Sequence, residues 1–232
     1  MIDYSYLDIA KMIDHSLLNP VLTDREMEAG CLLAREYDVA SACVKPYWTR
    51  RCAELLAGST VQPGAVIGFP HGGHKTAVKL AEAQQALADG GTELDMVVNI
   101  GKVLSEDWAY VRDEIQAVTR LTHEGNGIVK VIFENFYLRD AHKIRLCEIC
   151  GEVGADFVKT STGYAGGGAS MEDLKLMRKH APPRVRVKAA GGIRTLDALL
   201  EVRAIGVSRS GATRTAEMLN ECKKRLTAVA AQ

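Results

Sequence analysis

Three lysines recur at one spacing along this chain. Lys130, Lys159 and Lys188 stand 29 residues apart, and each follows a valine inside an apolar, strand-like run. The runs read Val129-Lys130-Val131-Ile132, Phe157-Val158-Lys159-Thr160 and Val185-Arg186-Val187-Lys188-Ala189. Burial penalises the charged form of an ammonium group, and a single such lysine escapes the penalty by snorkelling to the surface. Three at equal spacing imply three successive βα units, each delivering an amine at the same height. The amines then gather in one pocket, an arrangement that makes a lysine nucleophilic at neutral pH.

The rest of the chain repeats the same alternation. Strand-like islands fall near residues 11–17, 40–44, 65–69, 93–100, 128–133, 156–160, 184–189 and 206–209, separated by amphipathic helical stretches. Many islands are continuously apolar rather than alternating, the pattern of parallel strands covered on both faces. Thr23-Asp24-Arg25-Glu26 reads as a capping box, Ser170-Met171-Glu172-Asp173 as a looser one, and Ser105 precedes an acidic first turn, Glu106-Asp107. Helical patterns stop at Gly90-Gly91 and at Gly154. Neither a composition break nor a long linker interrupts the 232 residues, so the chain is expected to be one α/β domain over 1–232, a single-domain (β/α)8 TIM barrel. The competing architecture, an open doubly wound sheet, needs a crevice at a switch point, and no G-x-G-x-x-G follows the first island.

Charge and composition narrow the function classes. Lys+Arg 29 against Asp+Glu 29 points to neither nucleic acid nor an anionic membrane as partner. No apolar run approaches the roughly 20 residues of a membrane span. Met1-Ile2-Asp3-Tyr4 lacks a basic n-region leading into an apolar h-region, so a cytoplasmic location is expected. The six cysteines (Cys31, Cys43, Cys52, Cys147, Cys150 and Cys222) do not form the dense framework of a short secreted chain. Cys147-Glu-Ile-Cys150 falls inside a helical pattern and reads as a helix face, with redox or metal chemistry as the alternative.

A (β/α)8 barrel keeps its site at the C-terminal ends of the strands. The unusual polar residues gather there: Asp14, His15, Ser16, Cys43, Asp95, Asn99, Lys130, Glu134, Lys159, Thr160, Ser161, Thr162 and Lys188. Asp95, within Glu93-Leu94-Asp95-Met96-Val97-Val98, is as foreign to a core as the lysines are. It either forms a structural ion pair with Lys130 or stabilises ammonium forms and passes protons. A free lysine, with a pKa of about 10.4, is neutral in fewer than about one molecule in a thousand at pH 7. A depression of about three units leaves roughly half of it neutral, for about 4 kcal/mol of environmental work. A neutral amine attacks a carbonyl to form an imine, whose protonated form is an electron sink for carbon–carbon cleavage or formation. Two glycine turns, Ala190-Gly191-Gly192-Ile193-Arg194-Thr195 and Arg209-Ser210-Gly211-Ala212-Thr213-Arg214, are expected to follow strands seven and eight, where barrels recurrently bind phosphate. Gly163-Tyr164-Ala165-Gly166-Gly167-Gly168 is expected either to close over a ligand or to be a plain flexible loop.

With these residues the chain resembles the deoxyribose-phosphate aldolases, class I aldolases on a (β/α)8 barrel. The resemblance runs from Ile13-Asp14-His15-Ser16-Leu17-Leu18 through Val66-Ile67-Gly68-Phe69-Pro70, Glu93-Leu94-Asp95-Met96-Val97-Val98-Asn99-Ile100-Gly101 and Val129-Lys130-Val131-Ile132. It continues through Ala155-Asp156-Phe157-Val158-Lys159-Thr160-Ser161-Thr162-Gly163 and Val187-Lys188-Ala189-Ala190-Gly191-Gly192-Ile193-Arg194 to Arg209-Ser210-Gly211-Ala212-Thr213. It implies Lys159 as the Schiff-base lysine, Lys188 as the group that depresses its pKa, and Asp95, with an ordered water and supported by Lys130, as the proton shuttle. It implies Asp14, Ser16 and Cys43 near the substrate hydroxyls, and Gly163, Gly192, Gly211 and Thr213 at the phosphate. The implied reaction is reversible cleavage of 2-deoxy-D-ribose 5-phosphate to acetaldehyde and D-glyceraldehyde 3-phosphate, with no metal or organic cofactor, a small phosphorylated sugar as partner, and a homodimer formed through outer helices. The residues by themselves imply imine chemistry on a phosphorylated carbonyl compound; only the resemblance supplies the sugar.

The chain departs from the family pattern at four positions: Lys45 where Asn is common, His71 where Leu is frequent, Asn135-Phe136 where Thr-Cys is frequent, and Arg214 where a second small hydroxyl residue is typical. The first three bear on the acceptor pocket, and Arg214 either strengthens phosphate binding or faces solvent. Other readings are a zinc enzyme using His71-Gly72-Gly73-His74, a Schiff-base aldolase with a ketose-phosphate donor, and a non-catalytic barrel that keeps the phosphate pocket.

Overall fold

Glu93-Leu94-Asp95-Met96-Val97 is buried at every position of strand β4 (Glu93–Val97), as a strand must be when helices cover one face and a barrel lumen the other. The computed structural model describes residues 3–230. The other strands are β1 (Ile13–Leu17), β2 (Ser41–Val44), β3 (Gln62–Ile67), β5 (Ile128–Ile132), β6 (Phe157–Lys159), β7 (Arg186–Ala190) and β8 (Arg209–Ala212). All pair in parallel with their chain neighbours, and β8 pairs with β1, so the sheet closes in the order β1 to β8. The open sheet is thereby replaced by the expected barrel.

The helices are α1 (Tyr6–Ala10), α2 (Asp24–Glu36), α3 (Thr49–Leu56), α4 (Thr76–Ala88), α5 (Ile100–Leu104), α6 (Trp108–Glu124), α7 (Asp140–Val153), α8 (Met171–His180), α9 (Leu196–Ala204) and α10 (Thr215–Ala230), with 3-10 turns at Pro46–Trp48 and Asn135–Tyr137. The outward-facing Leu94 and Met96 of β4 share one continuous core with Ala83 and Ala86 of α4, where small side chains let the helix lie close to the sheet. The start signals act as their chemistry requires. Thr23 accepts from the Glu26 N–H while the Glu26 carboxylate accepts from the Thr23 N–H at 2.8 Å, and Ser170 accepts from the Asp173 N–H at 3.1 Å.

Several boundaries differ from the sequence expectation: β3 spans Gln62–Ile67 instead of 65–69, β4 ends at Val97 instead of running to 100, and the starts of α6 and β8 are also displaced. Ser105 ends α5, and the cap of α6 is Asp107, whose carboxylate accepts from the Tyr110 N–H at 3.3 Å. A carboxylate carries the negative charge that a helix N-terminus favours, which serine lacks. The last strand begins at Arg209 rather than at Gly206, because its register with β1 runs Ile13↔Ser210, Asp14↔Gly211, His15↔Ala212. Gly211 therefore lies inside β8, and only Thr213 and Arg214 belong to the turn that follows.

Candidate active site

The register sets the heights of the lumen-facing side chains. Asp95 pairs with Lys130 and Lys130 with Phe157; Ile132 pairs with Lys159 and Lys159 with Lys188. Barrel strands tilt, so lumen residues of alternate strands share a layer. Lys130 of β5 and Lys188 of β7 thus lie in one layer with Asp14 of β1. Lys159 of β6 lies one layer nearer the C-terminal face, with Asp95 of β4, Cys43 of β2 and Gly211 of β8. The equal spacing had implied three amines at one height. Equivalent positions in successive βα units instead alternate between layers.

Asp95 is the hub. One of its carboxylate oxygens accepts from Lys159 Nζ at 2.7 Å and from Lys188 Nζ at 2.6 Å, and the other from Lys130 Nζ at 2.9 Å. Below it, Asp14 meets Lys188 at 2.5 Å, Lys130 at 3.3 Å and the Arg209 guanidinium. Glu93 meets Lys130 at 2.6 Å and Arg209 at 2.9 Å. The Phe157 ring, with the Arg186 guanidinium 3.9 Å from its centre, closes the floor. Three carboxylates (Asp14, Glu93, Asp95) therefore face three cations (Lys130, Lys188, Arg209) before Lys159 is counted. The buried cluster is electrically balanced when Lys159 is neutral, and buried charge is tolerated only when balanced.

The protonation equilibria follow this balance. Burial depresses the Lys159 amine; Asp95 pulls the other way, and the Lys188 ammonium adds to the depression. Burial also acts most strongly on Lys188 and Lys130, yet carboxylates outweigh it and hold both ammonium groups above the ordinary lysine range. Asp14 and Asp95 are held below the usual carboxylate range, because cations overcome the opposing effect of burial. Burial and then Asp95 push the Cys43 thiol up to about 11, which keeps it a thiol.

A cavity of about 810 Å³ opens above the cluster at the C-terminal face. Of the three lysines, Lys159 alone reaches its wall. Ser16, His15, Thr162, Gly163, Gly192, Gly211 and Thr213 also line it. Asp14 does not; its carboxylate is committed to the cations one layer down. Cys43 is buried among Leu18, Val66 and Phe69. His15 shares a hydrogen bond of 2.8 Å with the Thr215 hydroxyl at the start of α10, and burial lowers the imidazole to about 4, so it is neutral at pH 7.

The turns after β6 and β7 are built against each other. Ala169 N–H bonds to the carbonyls of Ala190 and Gly191 at 3.0 and 2.9 Å. A Cβ on Gly168 would stand 2.5 Å from the Gly191 oxygen, and Gly191 has φ 78, so both positions need glycine. Gly166 and Gly167 lie against the Phe136 ring. The 163–168 loop thus packs on β7 and Phe136, and its Gly163 and Tyr164 line the cavity. Gly163 and Gly192, with φ 87 and 97, adopt left-handed turns on the cavity wall.

Of the four departures, Lys45 bonds the Asn19 carbonyl at 3.1 Å, and Asn19 lines the cavity, so Lys45 stands at the rim. Asn135 does not face the pocket, contrary to expectation. Its side chain is buried behind the barrel, 3.1 Å from Asp173 and 3.3 Å from the Met177 sulfur, since it starts a 3-10 turn that carries it toward α8. His71, His74 and Arg214 are exposed. Sequence reasoning missed Arg194, which lines the cavity mouth, and the pair Glu93 and Arg209. The period of two from Asp95 back to Glu93 was the available signal for Glu93.

A model of the DeoC/LacD family aldolases matches residues 9–213. A deoxyribose-phosphate aldolase of Rhodopirellula baltica is 61% identical over 97% of this chain and 94% of its own length. One from Clostridium tetani is 43% identical over 94% of this chain and 100% of its own. Among solved structures, the tetrameric deoxyribose phosphate aldolase of Aeropyrum pernix superposes with a TM-score of 0.86 at 32% identity, covering 94% of this chain and 92% of that one.

Proposed function

The chain belongs to the DeoC/LacD family of aldolases, and from that premise we propose that it cleaves 2-deoxy-D-ribose 5-phosphate reversibly to acetaldehyde and D-glyceraldehyde 3-phosphate through an imine on Lys159. The observation that carries this reading is that, of the three lysines, Lys159 alone reaches the cavity and alone has its amine pushed below the ordinary lysine range, chiefly by burial.

The neutral Lys159 amine adds to C1 of the open-chain sugar, and loss of water gives the iminium ion. That ion brings a positive charge to a nitrogen already 2.7 Å from Asp95, a carboxylate preorganised for it. The C3 hydroxyl loses its proton, the C2–C3 bond breaks, and its electron pair flows into the iminium to give an enamine. Glyceraldehyde 3-phosphate leaves. Protonation of the enamine at C2 and hydrolysis of the imine release acetaldehyde and restore the amine. The Lys188–Asp95 pair, with Lys130 behind it, holds and returns protons beside the reacting nitrogen. Ser16 is suited to a substrate hydroxyl, and Gly163, Gly192, Gly211, Thr213 and Arg194 to the phosphate. Asp14 and Cys43 act from behind the wall, Asp14 by holding Lys188 and Cys43 by shaping the apolar side.

We further propose a homodimer that works in the cytoplasm. Six free, buried cysteines suit a reducing compartment, and light scattering measures the assembly.

Borohydride trapping tests the central step. Acetaldehyde or 2-deoxyribose 5-phosphate followed by reduction is expected to leave a stable adduct on the peptide carrying Lys159, and none in Lys159→Leu. An adduct elsewhere, or none in folded protein, overturns the assignment.

A further inference from the structure

Glu134 is absent from the mechanism above, yet two unfavourable features converge on it beside the site. It has φ 58, a left-handed conformation that is uncommon and unfavourable for a non-glycine residue. Its carboxylate is buried, the residue being 2% exposed, and Oε1 has no hydrogen-bond partner among the described residues. A buried acceptor without a donor is destabilising, so such an arrangement persists where something else requires it.

The other oxygen shows what that requirement is. Oε2 accepts both donors of Thr162, the backbone N–H at 3.2 Å and the hydroxyl. The Thr162 oxygen in turn accepts the Tyr164 N–H at 3.0 Å. Residues 162 and 164 are thereby pinned on either side of Gly163, which lines the cavity with φ 87. Within residues 162–164 the Thr162 and Tyr164 N–H groups are engaged, and the Gly163 N–H between them has no partner among the described residues.

We propose that Glu134 is a positioning residue for the phosphate-binding turn: by clamping Thr162 it sets where Gly163 presents its N–H, and so sets the preference for a phosphorylated over an unphosphorylated sugar. The inference rests on the function proposed above. A general structural role would affect both sugars alike; a clamp on the anion turn affects one.

The test compares kcat/KM for 2-deoxyribose 5-phosphate and for 2-deoxyribose in the wild type, Glu134→Ala and Glu134→Gln, each checked for folding by circular dichroism. In Glu134→Ala the ratio of the two values is expected to fall about tenfold, the size of one misplaced hydrogen bond to a charged group, through a raised KM for the phosphate ester. Glu134→Gln, whose amide oxygen still accepts from Thr162, is expected to keep most of the ratio. Equal losses on both sugars, an unchanged ratio in Glu134→Ala, or a glutamine variant as impaired as alanine each overturn the proposal. Should Glu134→Ala not fold, Glu134→Asp withdraws the carboxylate by one methylene and is expected to show the same fall; an unchanged ratio there overturns it. A wild type that forms the Lys159 imine yet does not distinguish the two sugars overturns the phosphate site and this inference with it. A wild type that forms no imine overturns the proposed function itself.

Discussion

Lys159 and Lys188 are paired residues of adjacent strands, both almost wholly buried and both bonded to the same Asp95 oxygen, yet they are pushed in opposite directions. The difference is Asp14, which touches Lys188 and does not touch Lys159. Removing Lys188 therefore does more than delete a neighbour. Three carboxylates then face two cations, and Lys159 restores the balance by holding its proton. In Lys188→Leu the acid limb of the pH–rate profile, where turnover falls as Lys159 becomes protonated, is expected to move to higher pH with a large loss in rate at pH 7. A limb at the wild-type position disproves the coupling. Asp95→Asn removes the carboxylate placed for the iminium ion, and turnover is expected to fall by roughly 10²–10⁴, measured by steady-state assay on folded protein. An undiminished rate removes Asp95 from the mechanism. The amines and Asp95 were legible as misfits in apolar strands. Glu93 and Arg209 were not, because each stands at a strand start, where charge is ordinary.

At the level of elements, the end of β4 is held from outside the barrel. Lys79 of α4 is wholly buried, bonds the Val97 carbonyl at 2.7 Å and pairs with Glu114 of α6 at 2.9 Å; Glu114 accepts the Asn99 N–H at 3.0 Å. Burial pushes Lys79 down and Glu114 up, each toward its neutral form. Lys79→Met strands a buried carboxylate and is expected to cost about 3–5 kcal/mol in urea unfolding, while Lys79→Met combined with Glu114→Leu loses less than the sum of the single changes. Strict additivity argues that the pair does not act as a unit. Strand and helix order were readable from period and caps. The start of β8 was not, because Val-Ser-Arg-Ser-Gly-Ala has no apolar run to mark it, and the pairing with β1 decides it. Nor did the sequence show that the 163–168 loop is docked, since that depends on contacts with β7 and Phe136.

The barrel as a whole carries its polar cluster at a cost in acid. Asp14 and Asp95 have carboxyls held below their ordinary values, so the unfolded chain binds more protons than the folded one once pH drops below about 4. Their contribution to stability is present above that value and is lost as pH falls further. The urea midpoint is expected to decline between about pH 6.5 and 4, where the unfolded chain protonates His15 while burial keeps it neutral in the fold, and to decline further below about pH 4 as the carboxyls take up protons; no further decline below about pH 4 contradicts the depressed carboxyls. The kind of molecule was written in the chain: apolar islands of strand length, helices between them, and amines and a carboxylate that burial forces to interact. Period and polarity are local properties, and they suffice to predict a barrel with imine chemistry. Which of three lysines in equivalent sequence settings reaches the cavity with a depressed amine was not local. It came from strand tilt, which sorts them into layers, and from partners as distant as 195 residues along the chain, the separation of Asp14 and Arg209. Electrostatic energy follows distance in space, so the burial and the neighbouring charges that push Lys159 down and Lys188 up exist only once the barrel has closed.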